Sequence, residues 1–258
     1  MERTVVIDCF PESAAFYLSG YAIIAVDVIR ATTMAVSAVA MGRRCFMVPT
    51  LERAFDLGQR LRNPVFAGEL GGDMPAGFEM SNSPAELALR SDLHRPIVLL
   101  SSSGTKLVAQ ASGAEALYLS CFRNFSATAQ YVASLHPNIA IIGAGSRGEF
   151  REEDQMGCAW VADLLIRAGY APQNPSTQNI VDHWKDADPS ACANGNSAKY
   201  LRRSGQASDL DFILQRIDDL DAAFVMQGDE VTMSVPEMCA PVLAGAPASL
   251  DHAIFDTN

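Results

Sequence analysis

Short Val- and Ile-rich apolar runs alternate along the chain with stretches whose apolar positions recur at helical spacing. Strands are predicted at Thr4 to Ile7, Ala22 to Val26, Cys45 to Val48, Val65 to Ala67, Ile97 to Leu100, Ala116 to Leu119 and Ile139 to Ile142, with helices between them. That order predicts a three-layer α/β/α fold around a mainly parallel, Rossmann-like sheet. One helix start is well marked: in NSPAELAL, Ser83 suits the N-cap, Pro84 the first helical position and Glu86 the third. Gly42 and Gly169 stand where helix C-terminal caps are expected. After Gly169 the texture changes, and APQNPSTQN and DADPSACANGNS read as loops. A helical piece around Lys199 to Arg203 and a hairpin turning at Gly228-Asp229 follow. Residues 1–169 are therefore expected to form the main α/β part. Residues 170–258 are expected to form a smaller C-terminal α/β part or lid, with a soft boundary between the two.

Composition narrows the function classes. A hydrophobic content of 49% over 258 residues is ample for a packed core. The formal charge of −11 argues against nucleic acid or an anionic membrane as partner, because no basic stripe exists to release counterions. Any anionic ligand must be held by local groups. The six cysteines are far apart, with no C-x-x-C pair and no histidine spaced to complete a zinc site, and are expected to be reduced. The beginning MERTVVIDCF does not read as a signal peptide and no segment has the length of a membrane span, so the expected location is the cytoplasm.

Polar clusters follow four of the predicted strands, at the end of a parallel sheet where ligands bind. The second strand runs into Asp27, Arg30, Thr32 and Thr33, and the fourth into Glu69, Asp73, Asn82 and Ser83. The fifth runs into Ser101, Ser102, Ser103, Gly104, Thr105 and Lys106, and the seventh into Gly143, Gly145, Ser146, Arg147, Glu153 and Asp154. Gly- and Ser-rich turns entering helices suit an anion, to which Arg30 and Arg147 can add bidentate bonds. The carboxylates Asp27, Glu69, Glu153 and Asp154 suit Mg²⁺, which takes a few hard oxygens and keeps waters and phosphate oxygens. Structural readings stand beside these: Thr32, Thr33 and Ser83 as caps, Glu153 and Asp154 as first-turn acids, and Asp27 with Arg30 as a salt bridge. GAGSRG, Gly143 to Gly148, fits G-x-G-x-x-G and offers a dinucleotide-dependent oxidoreductase as an alternative. A non-catalytic binder of phosphorylated or sulfonated metabolites is a further one.

The segments VDVIRATTMAVSAVAMG, AGELGGDMPAGFEMSNSPAEL, IVLLSSSGTK, CFRNFSATA, GAGSRGEFREEDQMGCAWVADLL and NSAKYLRRSGQASDLDFILQRIDDLDAAFVMQGDEV resemble, in order and spacing, the 2-phosphosulfolactate phosphatase family. The resemblance runs from about Val5 to Val231. It implies an α/β, Mg²⁺-dependent acid phosphatase that releases phosphate and 3-sulfolactate, a step towards coenzyme M. It implies a small anionic phosphorylated substrate, is compatible with a homodimer, and adds Asn124 to the cleft. Three departures stand out: Ser103 replaces an amide, Ser81 replaces a glycine, and Arg123 precedes Asn124.

Overall fold

The computed structural model describes residues 2–234. Cys239, His252 and the end of the expected C-terminal part lie outside them. The chain forms β1 (Thr4–Asp8), β2 (Ala22–Val26), α1 (Ala31–Ala40), β3 (Cys45–Met47), α2 (Leu51–Gly58), β4 (Val65–Gly68), α3 (Pro84–Ala88), β5 (Ile97–Leu100) and α4 (Gly104–Gln110). These are followed by β6 (Ala116–Ser120), α5 (Phe125–Ala133), β7 (Asn138–Gly143), α6 (Glu152–Arg167), β8 (Ala171–Pro172), α7 (Pro175–Trp184), α8 (Asn196–Arg203), α9 (Ala207–Leu214), β9 (Ala223–Gln227) and β10 (Glu230–Ser234). All seven strands predicted from the apolar runs form within a residue or so of their expected ends.

The ten strands make one sheet in the order β4-β5-β3-β10-β9-β6-β2-β7-β1-β8. Its two wings are parallel, and between them β9 and β10 run antiparallel to β6 and β3. The hairpin turns at Gly228-Asp229 as expected and is part of the main sheet. In that place it covers two inner strand edges that would otherwise expose unpaired backbone groups.

Period-two alternation in β2 builds the three layers. Ile23 and Ala25 pack with α1 and α4 residues on one face, while Ala22, Ile24 and Val26 pack with α5 and α6 residues on the other. All five β2 residues are buried, as in a parallel strand covered on both sides. Gly42 and Gly169 follow α1 and α6 at φ of +84° and +93°, the left-handed conformation of a helix stop. The segment NPSTQ, expected as loop, instead opens α7: the Asn174 side chain accepts the Thr177 N–H at 2.8 Å and Pro175 takes the first turn. The Asn, Pro and Ser that favour loops also favour helix starts, which is why composition alone misplaced it. The five described cysteines are free thiols. Among the described residues no helix is long and apolar enough to cross a membrane.

Phe224 lies fully buried on β9, registered opposite Leu119 of β6 and Met233 of β10. Phe224→Ala is expected to cost about 3–5 kcal/mol through lost burial and the cavity left behind. Denaturant unfolding checks this, and a loss below about 1 kcal/mol would show that the hairpin does not join the two wings.

Candidate functional site

The carboxyl ends of β2, β4, β5 and β7 open on one cleft of about 760 Å³. Asp27, Arg30, Glu69, Asn82, Ser102, Ser103, Arg147 and Asp154 line it, drawn from all four predicted clusters.

Asp27 follows β2 and is 6% exposed. Its Oδ1 accepts the Ala31 N–H at 3.2 Å, and the Thr32 hydroxyl holds its backbone, accepting the Asp27 N–H at 2.9 Å. α4 begins against the carboxylate: a Cβ on Gly104 would collide with Asp27 Oδ2 and the Ala31 methyl, so only glycine permits the approach. Asp154, in the first turn of α6, accepts the Val28 N–H at 2.8 Å and the Gly145 N–H at 3.2 Å. Glu153 beside it is 1% exposed, and neither of its carboxylate oxygens has a hydrogen-bond partner. The buried amide oxygen of Asn82 is likewise without a partner.

Burial pushes the Asp27 carboxyl up to about 7, reinforced by the negative charges of Glu69 and Glu153 and only partly offset by the Ala31 N–H and Arg30. Burial with the charges of Asp27 and Glu153 raises Asp154 well above the usual carboxylate range. Burial raises Glu153 as well, with Ser197 opposing the shift. Three carboxylates thus share a desolvated corner in which full ionisation is unfavourable without an added positive charge. Their oxygens are the hard donors a divalent cation takes. Among the described residues no three His, Cys, Asp or Glu side chains already converge as a ready-made metal shell.

Other predicted residues serve the cleft from its walls. Arg30 pairs not with Asp27 but with Asp209 of α9 at 2.5 Å, and also donates to Gln206. Asp209, fully buried, accepts the Ser83 hydroxyl at 2.5 Å and the Ala85 N–H at 3.0 Å. Ser83 also caps α3, accepting the Glu86 N–H at 3.1 Å. Glu69 braces two loops, accepting the Ser102 N–H at 2.8 Å, the Ser102 hydroxyl at 3.0 Å and the Gly72 N–H at 2.8 Å. Thr33 donates to the Val28 carbonyl at 2.8 Å. Ser101 and Thr105 close on each other, with the Ser101 N–H donating to Thr105 Oγ1 at 3.0 Å and the Thr105 N–H to Ser101 Oγ at 3.1 Å. Asn124, fully buried, holds the turn after β6 through the Cys121 N–H and the Leu119 carbonyl. The side chains of Thr32, Thr33, Ser101, Thr105 and Asn124 therefore fasten the floor of the site. Arg123 makes a bidentate pair with Asp219 at 2.9 and 2.7 Å.

The Gly143 to Gly148 turn does not open a helix. α6 begins only at Glu152, and the Ser146 and Glu149 backbones pair with each other first. A dinucleotide fingerprint needs its glycines at the helix start, so the geometry does not favour that alternative. Exposed Arg147, at φ +54°, donates across the cleft mouth to the Gly71 carbonyl at 3.2 Å. Sequence reasoning missed the outer wall, α8, whose Asn196, Lys199, Tyr200 and Arg203 also line the cleft. Their spacing of i, i+3, i+4 and i+7 was the available signal, a single helix face carrying two cations.

Because Glu153 folds with a raised carboxyl, its charge lowers stability at pH 8, and that penalty fades as pH falls towards 4.5, its unperturbed value. In EDTA, Glu153→Gln is expected to stabilise the protein by at least about 1 kcal/mol at pH 8 and by less at pH 5, since an unpartnered buried charge is removed. Thermal unfolding at both pH values checks this. An equal effect at the two would contradict the buried, unpaired carboxylate.

A family model described as 2-phosphosulpholactate phosphatase matches residues 11–228. A probable 2-phosphosulfolactate phosphatase of Carboxydothermus hydrogenoformans is 32% identical over 56% of this chain and 60% of its own length. Probable 2-phosphosulfolactate phosphatases of Caldanaerobacter subterraneus subsp. tengcongensis and Deinococcus radiodurans are 26% and 27% identical, covering 77% and 80% of this chain and 85% and 88% of their own. With the family model spanning most of the chain and the cleft built from its matched segments, this protein belongs to the 2-phosphosulpholactate phosphatase family.

Proposed function

We propose that the chain is an Mg²⁺-dependent phosphomonoester hydrolase whose substrate is 2-phosphosulfolactate, cleaved to 3-sulfolactate and phosphate. The observation that carries this reading is the unpartnered Glu153 carboxylate buried beside Asp27 and Asp154, behind a cleft edged by arginines. Unpaired buried anions call for a cation, and Mg²⁺ needs only one or two protein carboxylates when waters and substrate phosphate complete its shell. One or two of Asp27, Glu153 and Asp154 would hold it, with Glu69 bracing the loops in front. The bound ion would neutralise charge on the phosphate oxygens.

The remaining steps fall to the chain's own groups. Arg147 meets the anion at the mouth, and Arg30, held by Asp209, presents its guanidinium to the cleft from the floor. In the turn after β5, the amides of Ser101, Ser102 and Thr105 are taken, whereas those of Ser103 and Gly104 have no acceptor among the described residues. Both amides belong to the turn whose Gly104 packs against Asp27, and they would supply fixed donors to a phosphate bound there. Asn82 offers its amide from the opposite loop.

The test is phosphate release from 2-phosphosulfolactate and a panel of plain phosphomonoesters, each with Mg²⁺ and with EDTA. Turnover is expected only with Mg²⁺ and strongest on phosphosulfolactate. No release from any ester would overturn the reading. Asp27→Asn is expected to lower kcat on the order of 10²–10⁴-fold while the protein stays folded by circular dichroism. Near-normal turnover in that variant would remove Asp27 from the mechanism.

A further inference from the structure

We infer that the inner face of α8 is the specificity wall of the cleft, where Lys199 and Arg203 receive a second anionic group on the substrate, a carboxylate or sulfonate, apart from the phosphate. The inference rests on the phosphomonoesterase reading and names the residues by which the same site would tell its substrate from plain phosphate esters.

Three observations lead to it. First, Asn196, Lys199, Tyr200 and Arg203 form one helical stripe along the cleft, whereas Arg202 points away and donates to the Ala193 carbonyl at 2.5 Å. Second, among the described residues no acid pairs with Lys199, Arg203 or Arg147, whereas Arg30 and Arg151 at the same cleft are paired with Asp209 and Glu149. Lys199 and Arg203 thus stand without an acid on the outer wall of the cleft, and a cleft of about 760 Å³ is far larger than a phosphate group fills. Third, the wall is fixed in place. Ala198 and Leu201 are buried against Leu210 of α9, and the Tyr200 hydroxyl donates to the Gly72 carbonyl at 2.7 Å. The Gly72 N–H in turn donates to Glu69, which holds Ser102 on the phosphate side. The spacing between the two anion positions is thereby set by the fold.

The phosphate end and the α8 end predict different kinetic signatures. In the Lys199→Ala/Arg203→Ala double variant, the ratio of kcat/KM for phosphosulfolactate to that for p-nitrophenyl phosphate is expected to fall roughly 10–100-fold, mainly through KM, as loss of charge-assisted hydrogen bonds implies. Arg202→Ala, on the outer face of the same helix, is expected to keep the wild-type ratio. An unchanged ratio in the double variant would overturn the inference, including the case in which both esters weaken together because the cations serve the phosphate. Calorimetric titration with 3-sulfolactate, which has no ester to cleave, gives a reading independent of turnover. Binding by the wild type that weakens at least about tenfold in the double variant supports the wall; equal binding, or none by the wild type, overturns it. Failure of the wild type to hydrolyse either ester would instead fall on the phosphatase reading and leave the calorimetric comparison to decide this one.

Discussion

Burying three carboxylates in one corner is the constraint around which the rest of this structure is arranged. Asp27, Glu153 and Asp154 are each at most 6% exposed, and burial and mutual repulsion raise all three carboxyl groups. What the fold supplies against that cost is backbone: the first amide of α1 on Asp27, and those of Val28 and Gly145 on Asp154. These donors sit at the carboxyl ends of parallel strands, where helices begin and their positive ends converge. Glu153 is the least provided for: neither of its buried carboxylate oxygens meets a partner at full hydrogen-bond geometry, and Ser197 and Arg151 only partly oppose the rise of its carboxyl.

The C-terminal third of the described chain is tied to this corner. Its hairpin fills the gap between two parallel wings, and α9 sends Asp209 under the cleft to take Arg30, Ser83 and the start of α3. One buried acid thereby fixes a cation from the β2 loop and a cap from the β4 loop together. Removing it would leave Arg30 buried without its acid, a costlier change than losing a surface pair. α8 rests on α9 and lines the outer wall of the cleft, so that wall is positioned by the same helix that orients the floor.

The sheet and the acid corner were legible in the sequence for a common reason: both follow from where apolar runs stop. Asp27, Asp154 and Arg147 stand where parallel strands deliver their loops, and their charge at the end of a buried run was the signal. Thr32, Thr33, Ser101 and Thr105 stand out by residue type and Asn124 by the family resemblance, and their side chains instead close on neighbouring backbone. Small polar residues that could cradle a phosphate are the same ones that stabilise tight turns, and sequence does not separate the two uses. Asp209 was invisible because its partner Arg30 lies 179 residues away. The α8 helix was legible around Lys199 to Arg203, but its place at the cleft was not, because it follows no parallel strand and its start lies in an Asn-, Ser- and Gly-rich stretch that reads as loop.

Thermal unfolding of the wild-type protein at pH 8 across a titration of Mg²⁺, without substrate, tests whether the acid corner holds a cation. A corner of unpaired carboxylates that holds a cation predicts a melting temperature that rises with Mg²⁺, reaching about 2.7 kcal/mol of added stability at a hundredfold excess over Kd, with the rise reduced in Glu153→Gln. A melting temperature that does not move with millimolar Mg²⁺ would contradict the account.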